Sequence, residues 1–392
     1  MRVVDLTKTP RLNFRPTGHG VDFTTVRRAI VHIGTPRTGT TSVQANLSIH
    51  RKELRRVGIL YPELTPRSAS TPHLSHQYLG EALDGRRSRR ERAELLSLLA
   101  EALGPTDIDV VILSYEGLCL LPSFYGVPAI FAELFARHGF KFEVLLTVRS
   151  QAAYAQSQYL WRCQFLREKR AFSEAFSHDL PQRRYDYSAI LNDWSRPNPD
   201  RFHVVPVHDR TSTEPLAERI FAQLGLSERT KQIMSAEELS RMENRSPGPV
   251  TVEVSRRVRT RSLLSIEQDR AIAVTNFIQG EARLRGLDSE PFQGLNEEMI
   301  ATVSAKFAVS NDKFAQRVWG EAWSQRVAPL AVDEVNEFGA RPAEPAVAQC
   351  LEEIANLACQ KFGISTGVNF ASVKQVFGVV DRRVRALNKA LR

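Results

Sequence analysis

Cysteine is scarce in this chain. Its 392 residues carry four, Cys119, Cys163, Cys350 and Cys359, and none forms a C-x-x-C pair. Neither a zinc knuckle nor a disulfide framework is therefore indicated, and free thiols in a reducing compartment are expected. Long apolar runs are missing too. None approaches the 18 residues that a membrane-spanning helix needs. The opening segment MRVVDLTKTPRLNFRPTG is basic but lacks the apolar stretch of a secretory leader, so a cytoplasmic location is expected. Repeats and low-complexity tracts are absent, and Gly (21) and Pro (20) are near ordinary usage. With 42% hydrophobic and 25% charged residues, the composition is that of a globular protein, not of a disordered or collagen-like one.

Charge of one sign does not dominate, but it leans. The 53 Lys+Arg against 44 Asp+Glu leave a net charge of +9, which favours anionic ligands: nucleic acid, a phosphorylated cofactor or an acidic glycan. No recognition helix, zinc finger or aromatic RNA-binding string appears, so nucleic acid is not expected as a partner. No metal-ligating spacing is present either.

Short β-branched runs recur at 29–33, 58–61, 109–114, 142–148 and 202–207, separated by stretches of helical periodicity such as 90–103 and 127–138. Near-continuous apolar strands joined by helix-length connections predict a three-layer α/β/α unit with a central parallel sheet, of the P-loop nucleotide-hydrolase kind. The expected organisation is an α/β domain over 25–250, a helical completion over 251–330, with helices at 262–285 and 311–327, and a helical C-terminal extension over 331–392. Within that extension GARPAEPA (339–346) reads as a hinge. Two amphipathic helices are expected beyond it, one through Val347, Leu351 and Ile354, the other through Val373, Val380 and Leu391.

The segment AIVHIGTPRTGTTSVQANL sets Gly34, Thr35, Pro36, Arg37, Thr38, Gly39, Thr40 and Thr41 between an apolar strand and an amphipathic helix. Such a loop lets backbone N–H groups converge on an anion at a helix N-terminus. The spacing imitates GxxxxGK[ST], but Thr40 stands where the lysine of an ATP or GTP site belongs. The cation comes earlier, at Arg37, with the hydroxyls of Thr38, Thr40 and Thr41 available to complete the cage. The string HIGTPRTGTTSVQ resembles the 5′-phosphosulfate loop of sulfotransferases that use 3′-phosphoadenosine 5′-phosphosulfate (PAPS), especially the bacterial branch in which HIGxPKTGTTSLQ is common. Arg37 replaces the lysine usual there. It keeps the charge and cannot act as an acid.

Two further strings extend the resemblance. In FEVLLTVRSQAAYAQSQYLW, Arg149 ends an apolar strand and Ser157 follows eight residues later in a helical stretch. The family places an Arg and a Ser at that spacing on the cofactor's 3′-phosphate, a task suited to a guanidinium fork and a directional hydroxyl. MENRSPGP, with Asn244, Arg245 and Ser246, resembles a late NRS-type segment, from which Arg245 would reach the same phosphate.

For the base that takes the acceptor's proton, the family uses His or Glu. His76, in TPHLSHQYLGEAL, resembles an HxxLA segment and is the expected base. Glu116, in VILSYEGL, matches an SxE segment and is expected as its orienting partner or as the alternative base, with His73 a third candidate. What the resemblance implies is sulfuryl transfer from PAPS, leaving adenosine 3′,5′-bisphosphate (PAP), to a hydroxyl of a glycan or glycolipid. A P-loop kinase or phosphotransferase using a nucleoside triphosphate is the alternative. The last helix carries Lys374, Arg382, Arg383, Arg385, Lys389 and Arg392 opposite an apolar stripe, a pattern that fits peripheral membrane contact or a packed helix with a solvated face. The arginine clusters 86–90 and 256–261 would either line an approach for an anionic acceptor or form solvated faces.

Overall fold

The structure is a computed structural model and describes residues 26–364, apart from 106, 121–125, 241–245, 263, 331–333 and 339–343. Five strands, β1 (Arg28–His32), β2 (Ile59–Leu60), β3 (Val110–Ser114), β4 (Lys141–Val148) and β5 (Arg201–Pro206), form one sheet in the order β2-β3-β1-β4-β5. Every pairing is parallel. Successive strand residues face opposite sides. Ala29, Val31, Val111, Leu113, Val144 and Leu146 therefore build one core with Leu95, Leu99, Phe131 and Trp194. Ile30, Ile112, Leu145 and Val205 build the other with Val43, Leu47, Ile220 and Phe221. Both faces are covered by helices, which is why the strands read as continuous apolar runs. The fold is the expected three-layer α/β/α arrangement.

This order places β1 between β3 and β4. The chain leaves β1 for one edge and later returns to build the other, so the crevice beyond the carboxyl end of β1 is a topological switch point, where ligands of open α/β sheets bind. The loops after β1, β3 and β4 all open onto it.

The helical region differs in detail from the reading of the sequence. Residues 262–267 do not join the following helix, which runs Gln268–Leu284. Ser262 Oγ donates to Leu264 O at 2.8 Å, a local bond that competes with helix continuation. The stretch expected at 311–327 begins much earlier, at Glu297. There Asn296 caps the helix by accepting from Met299 N, and Gly320 at φ 74° ends it after Trp319. The helix Pro345–Lys361 forms where the periodicity placed it. Its Leu351, Ile354 and Ala358 share a core with Val254 and Val258 of the helix Pro249–Arg261 and with Val274 and Ile278. Packing thus ties residues on both sides of position 331 together. The second amphipathic helix and its basic face, 373–392, lie outside the described residues, as does most of the 339–346 segment. No described helix is long and apolar enough to cross a membrane.

Candidate functional site

The loop after β1 turns sharply at three residues. Gly34 (φ 59°), Arg37 (φ 67°) and Gly39 (φ 76°) all lie in the left-handed region, and Arg37 does so despite its Cβ. Gly34 is required twice over, because a Cβ there would lie 2.7 Å from Glu116 Cβ. The strand pairing runs on into the loop: Ile33 N donates to Leu145 O and Thr35 N to Thr147 O. Thr35 Oγ1 also donates to Thr147 O, and Thr38 Oγ1 donates to Thr35 O at 2.6 Å and lies 2.8 Å from Thr147 Oγ1. Thr35 and Thr38 are fully buried. These hydroxyls pin the loop to β4 from below, so the expected role of Thr38 in the anion cage is corrected: its oxygen is committed inward. Thr40 and Thr41 open the helix Thr40–Ile49, whose N-cap, Gly39, supplies no side chain to the first amides. The half-buried Pro36 completes the loop.

Arg149 follows β4 directly, and Ser157 lies on the helix Gln151–Gln164. The structure brings both to the β1 loop. Arg149 Nη1 donates to Arg37 O at 2.9 Å, and Arg37 Nε points at Ser157 Oγ at 3.4 Å. Tyr187, fully buried, donates its hydroxyl to Arg149 O at 2.7 Å and fixes the start of this turn. Neither Arg37 nor Arg149 has a carboxylate within ion-pair distance among the described residues. Arg149 Nε is buried without a partner there. Burial draws the Arg149 guanidinium down to about 10, with the Tyr187 hydroxyl opposing and the Arg37 charge adding to the fall. Burial likewise lowers Arg37, against the pull of Glu116. Two poorly solvated cations side by side, with hydrogen-bonding capacity left over, make a site for an anion.

The base candidates separate clearly. His76 is 3% exposed, and both its ring nitrogens are used. Nε2 faces the carbonyl of Pro62 at 2.9 Å and must donate to it. Nδ1 therefore accepts, from Ser114 N at 2.9 Å. Burial holds this imidazole down at about 4, so it is neutral near pH 7. This corrects the expectation for His76: it clamps the end of β3 to the segment after β2 and has no nitrogen free for an acceptor proton. His73 has one nitrogen engaged, its Nδ1 accepting from Ser75 N and lying close to Ser75 Oγ. Glu116 stands instead at the start of the turn that follows β3, with its Cβ against Gly34 and its charge felt by Arg37. Its Oε2 accepts from Gln44 Nε2 at 2.9 Å.

Arg245, the third arginine expected at the 3′-phosphate, lies outside the described residues. The arginine clusters are ion-paired: Arg86 and Arg87 with Glu81, Asp84 and Glu91, and Arg256, Arg257 and Arg261 with Glu253 and Glu352. Arg89 and Arg90 are exposed and have no ion pair among the described residues, and Arg259 donates to Ser262 O at 3.0 Å, so the compensation covers part of each cluster. The sequence reading passed over His32, Gln44 and Ser114, which gather beside Glu116. Their signal was the shared strand parity of His32 and Ser114, which is usable only once β1 and β3 are known to be neighbours.

No family model matches the chain, and no curated protein does. Among solved structures it is similar to a crystal structure of a sulfotransferase from Alicyclobacillus acidocaldarius, with 12% identity, a TM-score of 0.39, and coverage of 75% of this chain and 96% of that one. The functional reading therefore rests on the residues of the site itself.

Proposed function

We propose that this chain transfers a sulfuryl group from PAPS to a hydroxyl of a carbohydrate or glycolipid. One juxtaposition carries the reading: Arg149 Nη1 donates to the backbone carbonyl of Arg37 at 2.9 Å, which joins arginines from loops after different strands at the uncapped start of a helix, and among the described residues neither has a carboxylate within ion-pair distance. The residues fit a nucleotide with two anionic ends. The loop amides, Arg37 and Thr40 would hold the 5′-phosphosulfate. Arg149, whose buried Nε has no acceptor among the described residues, and Ser157 would hold the 3′-phosphate.

When bound, the nucleotide supplies an activated sulfuryl group and a phosphate leaving group. Arg37 sets a fixed positive charge against the negative charge that grows during transfer, and it acts by charge alone because it keeps its proton. Glu116 would accept the acceptor's hydroxyl proton: it borders the loop, and its Oε1 has no hydrogen-bond partner among the described residues. His76 contributes from behind by holding Ser114, two residues before Glu116. The triphosphate alternative is disfavoured by Thr40, which cannot reach β and γ phosphates as a lysine would.

Thermal denaturation tests the reading. PAP should raise the melting temperature clearly and ADP or ATP much less, since a ligand that binds only the folded state stabilises it by mass action. Arg149→Ala should abolish the PAP shift. Equal shifts with all three nucleotides, or a PAP shift that survives Arg149→Ala, would remove the 3′-phosphate site and return weight to a phosphotransferase.

A further inference from the structure

The face of the sheet that carries Ile30 and Ile112 also carries His32 and Ser114, by the two-residue alternation of the strands. These two are register partners at the ends of β1 and β3. The helix Thr40–Ile49 covers this face, and from its second turn Gln44 reaches down between them. Gln44 is 4% exposed. Its amide nitrogen has two hydrogens and both are used: one is donated to Glu116 Oε2 at 2.9 Å, the other to Ser114 Oγ at 3.0 Å. Ser114 Oγ in turn lies 2.7 Å from His32 Nδ1. His32 is 2% exposed and its Nε2 is buried without a partner among the described residues, 3.6 Å from where a Gly34 Cβ would stand. Burial keeps this ring neutral at pH 7, at about 4. The chain Glu116, Gln44, Ser114, His32 is thus continuous and runs from the proposed base into the core beneath the loop.

We infer that Gln44 is a positioning residue for Glu116. Its amide fixes one carboxylate oxygen, Oε2, and leaves Oε1 as the oxygen that takes the proton. A buried glutamine is costly unless its donors are satisfied. Here both are satisfied by groups that orient each other: Ser114, held at its backbone by His76, fixes the amide plane, and the amide plane fixes the carboxylate. The assignment of a base rests on the sulfuryl-transfer reading. The hydrogen-bonded arrangement does not.

The test separates the two. Gln44→Met keeps the length and shape of the side chain and removes the donor. In chain labelled with ¹³C at the glutamate carboxyl carbons, with the Glu116 resonance assigned by its loss in Glu116→Gln, the acid titration midpoint of Glu116 should rise by about one pH unit in Gln44→Met. That is the size expected when one hydrogen bond to a charged group is lost. Ser114→Ala, which frees the amide plane but leaves its bond to Glu116, should give a smaller rise, and it serves if Gln44→Met shows no cooperative melt. Sulfate release from PAPS, with water as the acceptor, should fall about tenfold in Gln44→Met while the PAP thermal shift stays at its wild-type size. An unmoved midpoint in the folded variant overturns the inference. A moved midpoint with undiminished sulfate release overturns the positioning role. Absence of a PAP shift in the wild-type chain overturns the sulfuryl-transfer reading, and the titration still decides whether Gln44 governs Glu116.

Discussion

The two ends of the parallel sheet use arginine in opposite ways. At the amino ends of the strands the half-buried arginines are answered. Arg28 meets Glu143 through two bonds of 2.8 and 2.7 Å, and His203 Nε2 lies 2.8 Å from the same carboxylate. Arg229 grips Asp109 through bonds of 2.8 and 2.7 Å. Arg27 spreads its donors over the carbonyls of Leu103, Pro105, Ile108 and His138. At the carboxyl ends, the Arg37 and Arg149 side chains have, among the described residues, only a carbonyl and a serine hydroxyl as partners. Paired arginines stitch strands to the connections beneath them. Unpaired ones in a half-buried cleft repel each other and are poorly solvated, a cost to the fold that an anionic ligand offsets. The net charge of +9 is the same number for both uses, so partnering and not charge marks the site.

The comparison breaks most sharply if the free end is made to resemble the paired one. Ser157→Asp sets a carboxylate 3.4 Å from Arg37 Nε, judged from the serine oxygen it replaces. Isothermal titration with PAP should show affinity lowered by about a hundredfold or more, because like charges juxtaposed at a binding site cost several kcal/mol. Thermal stability should hold or rise. Undiminished affinity would mean that these arginines do not meet the ligand.

The converse change at the paired end comes next in size. Arg28→Ala leaves Glu143, 5% exposed, without its main partner and should cost about 3 kcal/mol in urea unfolding, with PAP affinity unchanged. Its pH dependence has a definite sign. Burial alone would raise the Glu143 carboxyl, but Arg28 and His203 hold it down at about 2, against an ordinary 4.5. Its contribution is therefore complete above about pH 4.5 and is lost as pH falls toward 2. In Arg28→Ala this acid limb should flatten. Equal steepness in the two chains would show that the pair does not govern acid stability.

The smallest of the three effects probes the loop's geometry. Gly34→Ala forces a side chain into φ 59° and against Glu116 Cβ, which should cost about 2 kcal/mol. It should also reduce sulfate release from PAPS more than it weakens PAP binding, because the atom displaced belongs to the proposed base. Losses of equal size in both assays would place Glu116 outside the reaction.

Much of this was legible in the chain. Apolar runs at 29–33, 109–114 and 142–148 locate the three central strands to within about a residue. The glycine-bearing loop and its helix follow in order, and Arg149 and Ser157 stand at a strand end and on the next helix as their neighbours imply. Local rules suffice there, because strand, turn and helix start depend on residues close in sequence. Local rules fail for the base. His76 and Glu116 are both polar residues just past a strand, and nothing near either one tells that Pro62 and Ser114 occupy both nitrogens of the histidine while one oxygen of the glutamate has no partner among the described residues. The helix joins at 262–267 and 320 escaped for a milder reason: apolar periodicity runs on across a break set by one serine bond and one left-handed glycine.

By itself, then, the sequence determined the alternation of strands and helices, the glycine-bearing loop after the first strand, and the order of the residues that would meet an anion, since each follows from neighbours within a few positions. Only the tertiary structure decided which arginines are paired, which histidine is locked, and that Gln44 bonds Glu116 across 72 residues. Those outcomes depend on strand order and on which face each residue presents, and a carboxylate can answer a cation only where the folded chain brings the two within reach.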